Sequence, residues 1–295
     1  MREGGNLEYI CRLCPRKCGA LRGETGAGVC RMGADPVIAR AAPHFDEEPV
    51  ISGTRGSGAV FFSGCSLRCR FCQNYGISHG GFGRRITVDE LLGVYFSLIE
   101  QGVHNINLVN PTHFVEPILA SLAGGLPVPV VWNTGGYERA STLRRLAGKV
   151  QVYLPDLKYS QKALAGKLSA APDYPPVAAA AIREMFRQTG PYELDGDGML
   201  VKGVMIRHLV LPGELDNTFG VLDWIAESFR PGDVLVSLMG QYTPNGHGGP
   251  DRRLTEEEYR RACDYMAALG LLEGYTQELT SGSREYTPAF DGTGV

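Results

Sequence analysis

No run of about 18 apolar residues occurs in this chain, so no transmembrane helix is expected. The opening residues, MREGGNLEYICRLC, hold no apolar stretch long enough for a secretory signal. That predicts a cytoplasmic protein, in a compartment that keeps thiols reduced. Basic charge is not in excess: 29 Lys and Arg stand against 32 Asp and Glu, a formal net charge of −3. Without a basic surplus or an aromatic–basic patch, no nucleic-acid partner is expected. Global disorder is excluded too, because 43% hydrophobic and 21% charged residues are ordinary for a globular protein. No internal repeat or low-complexity tract is present.

What is present is cysteine, and it is not scattered. Seven of the eight cysteines fall in the first quarter of the 295 residues, in two groups. The first is Cys11-x2-Cys14-x3-Cys18-x11-Cys30, the second Cys65-x3-Cys69-x2-Cys72. In a reducing compartment such grouping points to metal binding or catalysis rather than to a disulfide framework. Cys263 stands alone, on the apolar stripe Tyr259, Ala262, Cys263, Met266, and reads as a buried structural cysteine.

Residues 1–35 have little apolar periodicity and would need a metal to organise them. Residues 36–58, with Pro36, Pro43 and Pro49, read as irregular connection. From residue 59 the pattern changes. Six nearly continuous apolar runs suit strands buried on both faces: 59–64, 106–110, 128–134, 150–157, 204–211 and 234–242. Helical patterns lie between them, at about 115–123, 138–147, 176–188 and 218–229. Thr87-x-x-Glu90 and Thr255-x-x-Glu258 are capping boxes that open two more. The stretch 166–181 reads as a loop leading into a helix, and the polar tail after about 281 as lying over the body or loose. Repeated strand–helix alternation predicts parallel strands with right-handed crossovers, in an open doubly wound sheet or a partial barrel. The domain organisation expected is a Cys-rich extension over 1–58, a catalytic body over 59–250, and a C-terminal helix and tail over 251–295.

Cys65, Cys69 and Cys72 follow the first of these strands directly, at the end of a parallel sheet where ligands gather. Structural zinc takes four protein ligands, and four cysteines close a [4Fe–4S] cubane. Three leave one iron open. A three-cysteine zinc or redox site, completed by His79, is the alternative. The Cys-x3-Cys-x2-Cys spacing, with Phe71 before the last cysteine, resembles the radical S-adenosylmethionine signature. The segments VFFSGCSLRCRFCQNY, INLVNPTH, LPDLKY, IRHLVLPG and SLMGQYTP, spanning about 59–245, are most similar to pyruvate formate-lyase activating enzyme-like proteins of the PflX type.

That resemblance implies a partial (β/α)6 TIM-like barrel. It implies a [4Fe–4S] cluster on Cys65, Cys69 and Cys72, with S-adenosylmethionine chelating the open iron. It also implies an oxidoreductase of anaerobic chemistry that cleaves this cofactor to a 5′-deoxyadenosyl radical and abstracts hydrogen from a substrate. By resemblance the substrate is a glycyl residue of a partner enzyme, and the electron donor a flavodoxin or ferredoxin. A small-molecule substrate, or another peptide position, is the runner-up. A non-catalytic zinc-binding interaction module is the reading from a different class. No catalytic side chain is identified beyond the cluster.

Cofactor-binding residues are expected at the strand ends. Asn110 and Thr112 stand where the superfamily usually carries a Gly-Gly-Glu motif, and offer oxygen acceptors to an ammonium. Asp156 and Lys158 alternate to one side of a strand and match the Asp-Leu-Lys segment of the activating enzymes. Arg207 faces the cofactor by resemblance, while His208 alternates to the opposite face as a packed histidine. Asn133, Gln241 and Tyr242 are further candidates, and Gly135 and Gly136 would allow close approach to a ligand. Cys11, Cys14, Cys18 and Cys30 have the count to surround zinc or a second iron–sulfur cluster. Arg16 and Lys17, between them, could touch an acidic partner or a protein substrate, but a solvated turn is the preferred reading.

Overall fold

A computed structural model describes residues 9–23, 26, 28–277, 279 and 288–295. Twelve strands are described: β1 (Tyr9–Ile10), β2 (Leu21–Arg22), β3 (Val37–His44), β4 (Ser57–Phe62), β5 (Arg84–Arg85), β6 (Ile106–Val109), β7 (Val130–Thr134), β8 (Val152–Pro155), β9 (Glu193–Leu194), β10 (Leu200–Leu209), β11 (Leu235–Met239) and β12 (Gly274–Thr276). The first two form a small antiparallel ribbon. The main sheet runs β12-β11-β10-β8-β7-β6-β4-β3-β5, with β9 beside β10.

All six expected strands are there, as β4, β6, β7, β8, β10 and β11, and each neighbouring pair is parallel. A seventh parallel strand, β12, follows the helix Glu256–Ala268 and adds beside β11. Both capping boxes form as expected, on Thr87 and Thr255. Residues 37–44 differ from expectation. They form β3, antiparallel to β4, rather than irregular connection. Pro43 is compatible with that strand because β3 lies near the sheet margin, where a missing N–H is tolerated. Helix Lys162–Ser169 also occupies part of the expected loop. Its Leu164, Ala165 and Leu168 are buried, and the chain turns at Ala170 in the left-handed region before helix Tyr174–Thr189.

Alternation sorts the strand residues into two layers. Trp132, Tyr153, Ile206 and Leu238 face the helices, in the main core. Val131, Val152, Leu154, Met205 and Leu235 face inward and gather with Val50 and Ile51 in one small cluster. Inward side chains from four strands meet there because the sheet curls, giving the partial (β/α) barrel. The short helix Pro49–Ser52 plugs the end where the strands begin. The described tail, 288–295, lies over the body: Gly292 N–H donates to Ala39 O (3.1 Å), Ala41 N–H to Thr293 O (2.9 Å), and Phe290 packs on Phe61. Residues 281–287 lie outside the described residues. Among the described residues no helix is long and apolar enough to cross a membrane.

His208 faces the helix layer, as its alternation predicts, and is fully buried. Its Nδ1–H donates to Leu157 O (2.6 Å), and Nε2 accepts from the Thr218 hydroxyl (3.0 Å). Burial lowers its pKa to about 4, against about 6.5 unfolded. Below pH 6.5 the unfolded chain therefore takes the proton first, and stability falls as pH drops toward 4. The loss between pH 7 and pH 5 is about 2 kcal/mol. His208→Asn keeps the donor to Leu157 without the titration. Its urea midpoint is expected to fall less between those two pH values than the wild-type midpoint. Equal falls would refute the assignment.

Candidate functional site

The loop after β4 carries the cysteine triad. It leaves the strand at Ser63 and turns at Gly64, whose φ of +78° and contact with the Cys30 carbonyl leave no room for a side chain. Cys65 Sγ accepts the backbone N–H groups of Leu67 and Arg68, both at 3.4 Å. Cys69 Sγ accepts the Ser169 hydroxyl at 3.1 Å. Burial and the neighbouring Cys69 push the Cys65 thiol up, and burial pushes Cys72 up to about 12, with Lys158 opposing both. Thiols held so high ionise only against a strong local positive charge, which a metal cluster provides. Among the described residues no three Cys, His, Asp or Glu side chains stand ready around a single ion. The three cysteines instead border one cavity together. A donor set of three sulfurs, with N–H and O–H donors aimed at two of them, suits an iron–sulfur cluster.

The same cavity, of about 250 Å³, is lined by Asn110, Asn133, Asp156, Lys158, Arg207 and Gln241. Six of the seven expected cofactor residues therefore meet the triad in one place. They do so because β6, β7, β8, β10 and β11 present their carboxyl ends to it in register. Arg207 lies opposite Ser237 on one side and bridges to Asp156 on the other.

The cavity floor is an ion cage. Arg207 Nε donates to Asp156 (2.9 Å), Nη1 to Glu47 (2.9 Å) and Nη2 to Asn133 Oδ1 (2.6 Å). Lys158 Nζ donates to the other Asp156 oxygen (2.5 Å). Glu47 also accepts from Asn133 (3.0 Å) and Asn107 (3.3 Å). Arg207, Asp156 and Glu47 side chains are 13%, 14% and 12% exposed, so these pairs are shielded from screening. Burial alone would raise the Asp156 carboxyl, but Lys158 and Arg207 carry it below its ordinary value. Two cations meet two carboxylates there, and a third carboxyl, Glu48, also bears on Arg207 but is pushed up by burial toward its neutral form.

Thr112 is the expected residue that the cavity does not collect. Asn110 takes a left-handed conformation (φ +57°), and the 3-10 turn Thr112–Phe114 carries Thr112 to the helix-facing side. There Thr112 and Thr134 hydroxyls donate to Glu138 Oε1 at 2.5 and 2.6 Å. Tyr242 is likewise turned away, its hydroxyl donating to Pro250 O (2.6 Å). His79 stacks on Tyr75, 3.9 Å between centroids. Cys263 sits half-buried at the margin of its stripe.

Gly136 makes a close approach, but to protein. A Cβ there would overlap the Asp156 carbonyl oxygen, and its φ is +76°. Gly136→Ala is expected to cost about 2–4 kcal/mol, from left-handed strain plus backbone overlap. Urea denaturation measures it, and a loss below 1 kcal/mol would contradict this reading.

Two residues were not foreseen. Glu47 lay in the segment read as irregular, and no signal short of β3 itself would mark it. Arg16 is not a solvated turn residue. It donates to Ser66 O (2.8 Å), Leu67 O (3.0 Å), Ser169 O (2.7 Å) and Ala170 O (2.5 Å), so it ties the N-terminal segment to both stretches that support the triad. The pattern Cys-Pro-Arg-Lys-Cys, with a cation between potential ligands, was the available hint.

No family model matches the chain. It is 30% identical over 283 residues to Uncharacterized protein MJ0674 of Methanocaldococcus jannaschii, across 90% of this chain and 77% of that protein. The structure of Streptococcus suis SuiB bound to precursor peptide SuiA aligns at a TM-score of 0.51 and 16% identity, over 74% of this chain. The chain spans about half of SuiB (48%) and shares its fold over that part. Methylornithine synthase (PylB) aligns at a TM-score of 0.47 and 18% identity, over 74% of this chain and 70% of that one. This chain belongs to the family of the M. jannaschii protein.

Proposed function

We propose that this member of the family is a radical S-adenosylmethionine oxidoreductase. In this reading Cys65, Cys69 and Cys72 hold a [4Fe–4S] cluster, and the adjoining cavity holds S-adenosylmethionine. The observation that carries it is the meeting of three cysteines with a charge-balanced ion cage in one cavity. A reduced cluster held by Cys65, Cys69 and Cys72, with S-adenosylmethionine in the cavity, would supply radical hydrogen-abstraction chemistry.

The chain's own residues bind and orient. The methionine end of the cofactor is a zwitterion, and a floor of Arg207, Lys158, Asp156 and Glu47 offers both charges to it. The amides of Asn110, Asn133 and Gln241 offer neutral donors and acceptors to ribose and adenine. Phe61, Leu67, Phe71 and Leu209 line the same cavity and give it an apolar wall.

We read the substrate as a polypeptide, a glycyl residue of a partner enzyme by resemblance to the activating enzymes. The fold shared with SuiB, whose crystals hold a precursor peptide, supports a peptide over a small molecule. Reduction by a flavodoxin or ferredoxin follows from the same chemistry.

The test is an EPR spectrum of the anaerobically reconstituted, reduced protein with and without S-adenosylmethionine. A [4Fe–4S]⁺ signal that changes on adding the cofactor is expected. A cluster signal indifferent to it would overturn the reading, and zinc with no iron would favour the interaction module.

A further inference from the structure

Outside the cavity, one cluster of metal-ligating side chains remains without a role. Cys11, Cys14 and Cys30 are buried, and Cys18 is exposed. Cys11 N–H donates to Ala20 O (2.8 Å), Gly28 lies against Cys18 Sγ, and Cys11 and Cys30 pack in the same buried cluster, so the cysteines share one small region. The backbone turns twice among them, with Lys17 N–H donating to Cys14 O (3.2 Å) and Arg31 N–H to Gly28 O (3.3 Å). Each of these two turns includes a non-glycine residue in the left-handed region, Lys17 (φ +46°) and Arg31 (φ +59°).

An independent observation is a buried cation. Arg22 is 1% exposed. Its guanidinium donates to the carbonyls of Met32, Gly33 (2.8 Å) and His113 (2.5 Å). Among the described residues it forms no ion pair with a carboxylate. Its potentially anionic neighbours are Cys30, Cys11 and Tyr9. A buried guanidinium needs a counter-charge. Neutral thiols do not provide one, whereas metal-bound thiolates do. Four thiolates so grouped, three of them buried, in turn persist only around a metal.

We propose that Cys11, Cys14, Cys18 and Cys30 close a second metal centre of four thiolates, with Arg22 as its buried counter-cation. All four positions of the metal are taken by protein, so the centre binds no substrate. It fixes the turn from Cys14 to Cys18 and therefore Arg16, whose hydrogen bonds brace the triad loop. Among the described residues no three Cys, His, Asp or Glu side chains already surround one ion, so metal binding would complete the local folding here. The occupant is a single zinc or a closed [4Fe–4S] cluster. The proposal does not depend on what the cavity binds.

The experiment is metal analysis of the full chain, purified anaerobically, in wild type and in a Cys65→Ala/Cys69→Ala/Cys72→Ala variant. That variant is expected to retain about one zinc, or about four irons, per chain. Adding Cys14→Ala and Cys30→Ala is expected to remove it. A soluble triple variant with no metal would overturn the proposal. A measurement on wild type guards against misfolding of the variants. Cys18 is exposed, so as a free thiol it reacts at once with a thiol reagent, and as a ligand it is protected until a chelator or denaturant is added. Immediate labelling of Cys18 in the native, metal-loaded protein would also overturn the proposal.

Discussion

Cys65→Ser is expected to abolish reductive cleavage of S-adenosylmethionine, measured as 5′-deoxyadenosine released by the reduced protein. The loss should exceed about a hundredfold, the scale that removing even an outer partner of a metal ligand reaches. Cys65 receives two backbone N–H groups and shares its cavity with Cys69 and Cys72. A serine hydroxyl is a hard, weakly acidic ligand and leaves the cluster with two thiolates. Two further variants give the result its meaning. Ser169→Ala removes the hydroxyl that donates to Cys69 and also meets the Tyr159 hydroxyl (2.6 Å), and should fall between, by about 10–100-fold. Cys263→Ser changes a cysteine outside the cavity and should leave the rate unchanged. If Cys65→Ser cleaves at the wild-type rate, the triad does not hold the catalytic cluster.

The sequence made the frame of this molecule legible because the frame rests on local signals. Six apolar runs became six parallel strands, and the two Thr-x-x-Glu boxes cap the helices they were expected to cap. The cysteine triad and Asp156, Lys158 and Arg207 were readable for the same reason: each follows or ends a strand whose direction the alternation fixes. What was not readable depends on partners far apart in the chain. Glu47 matters because β3 folds back antiparallel and delivers it beneath Arg207, 160 residues away. Arg16 matters because it meets carbonyls at 169 and 170. Thr112 went astray for a local reason, one left-handed residue at Asn110 that turns the next side chains to the other layer. Gly136 is a subtler case. The need for glycine was visible, but the neighbour it accommodates is the Asp156 carbonyl rather than a ligand.

The ion cage is where stability and binding separate. Arg207→Ala is expected to destabilise the chain by about 3–5 kcal/mol, the usual cost of breaking a buried pair on one side. It strands Glu47 and leaves Asp156 to Lys158 alone, in a cavity where each carboxylate is about one-eighth exposed. Arg207→Lys keeps the charge but cannot reach Asp156, Glu47 and Asn133 together, because an ammonium lacks the planar fork. It should fold, and should weaken S-adenosylmethionine binding at least about tenfold, or 1.4 kcal/mol. A double variant, Arg207→Met with Glu47→Gln, removes one charge of each sign. Neutralising both partners avoids the stranded carboxylate at Glu47, so this variant should recover much of the stability lost in Arg207→Ala. It should not recover binding, because the floor then offers one cation and one carboxylate where the cofactor's zwitterion meets two of each. Calorimetric titration with S-adenosylmethionine and urea denaturation of the same four proteins separate the two effects. If the double variant binds the cofactor as wild type does, the cage is a structural brace and Lys158 with Asp156 suffices as the anchor.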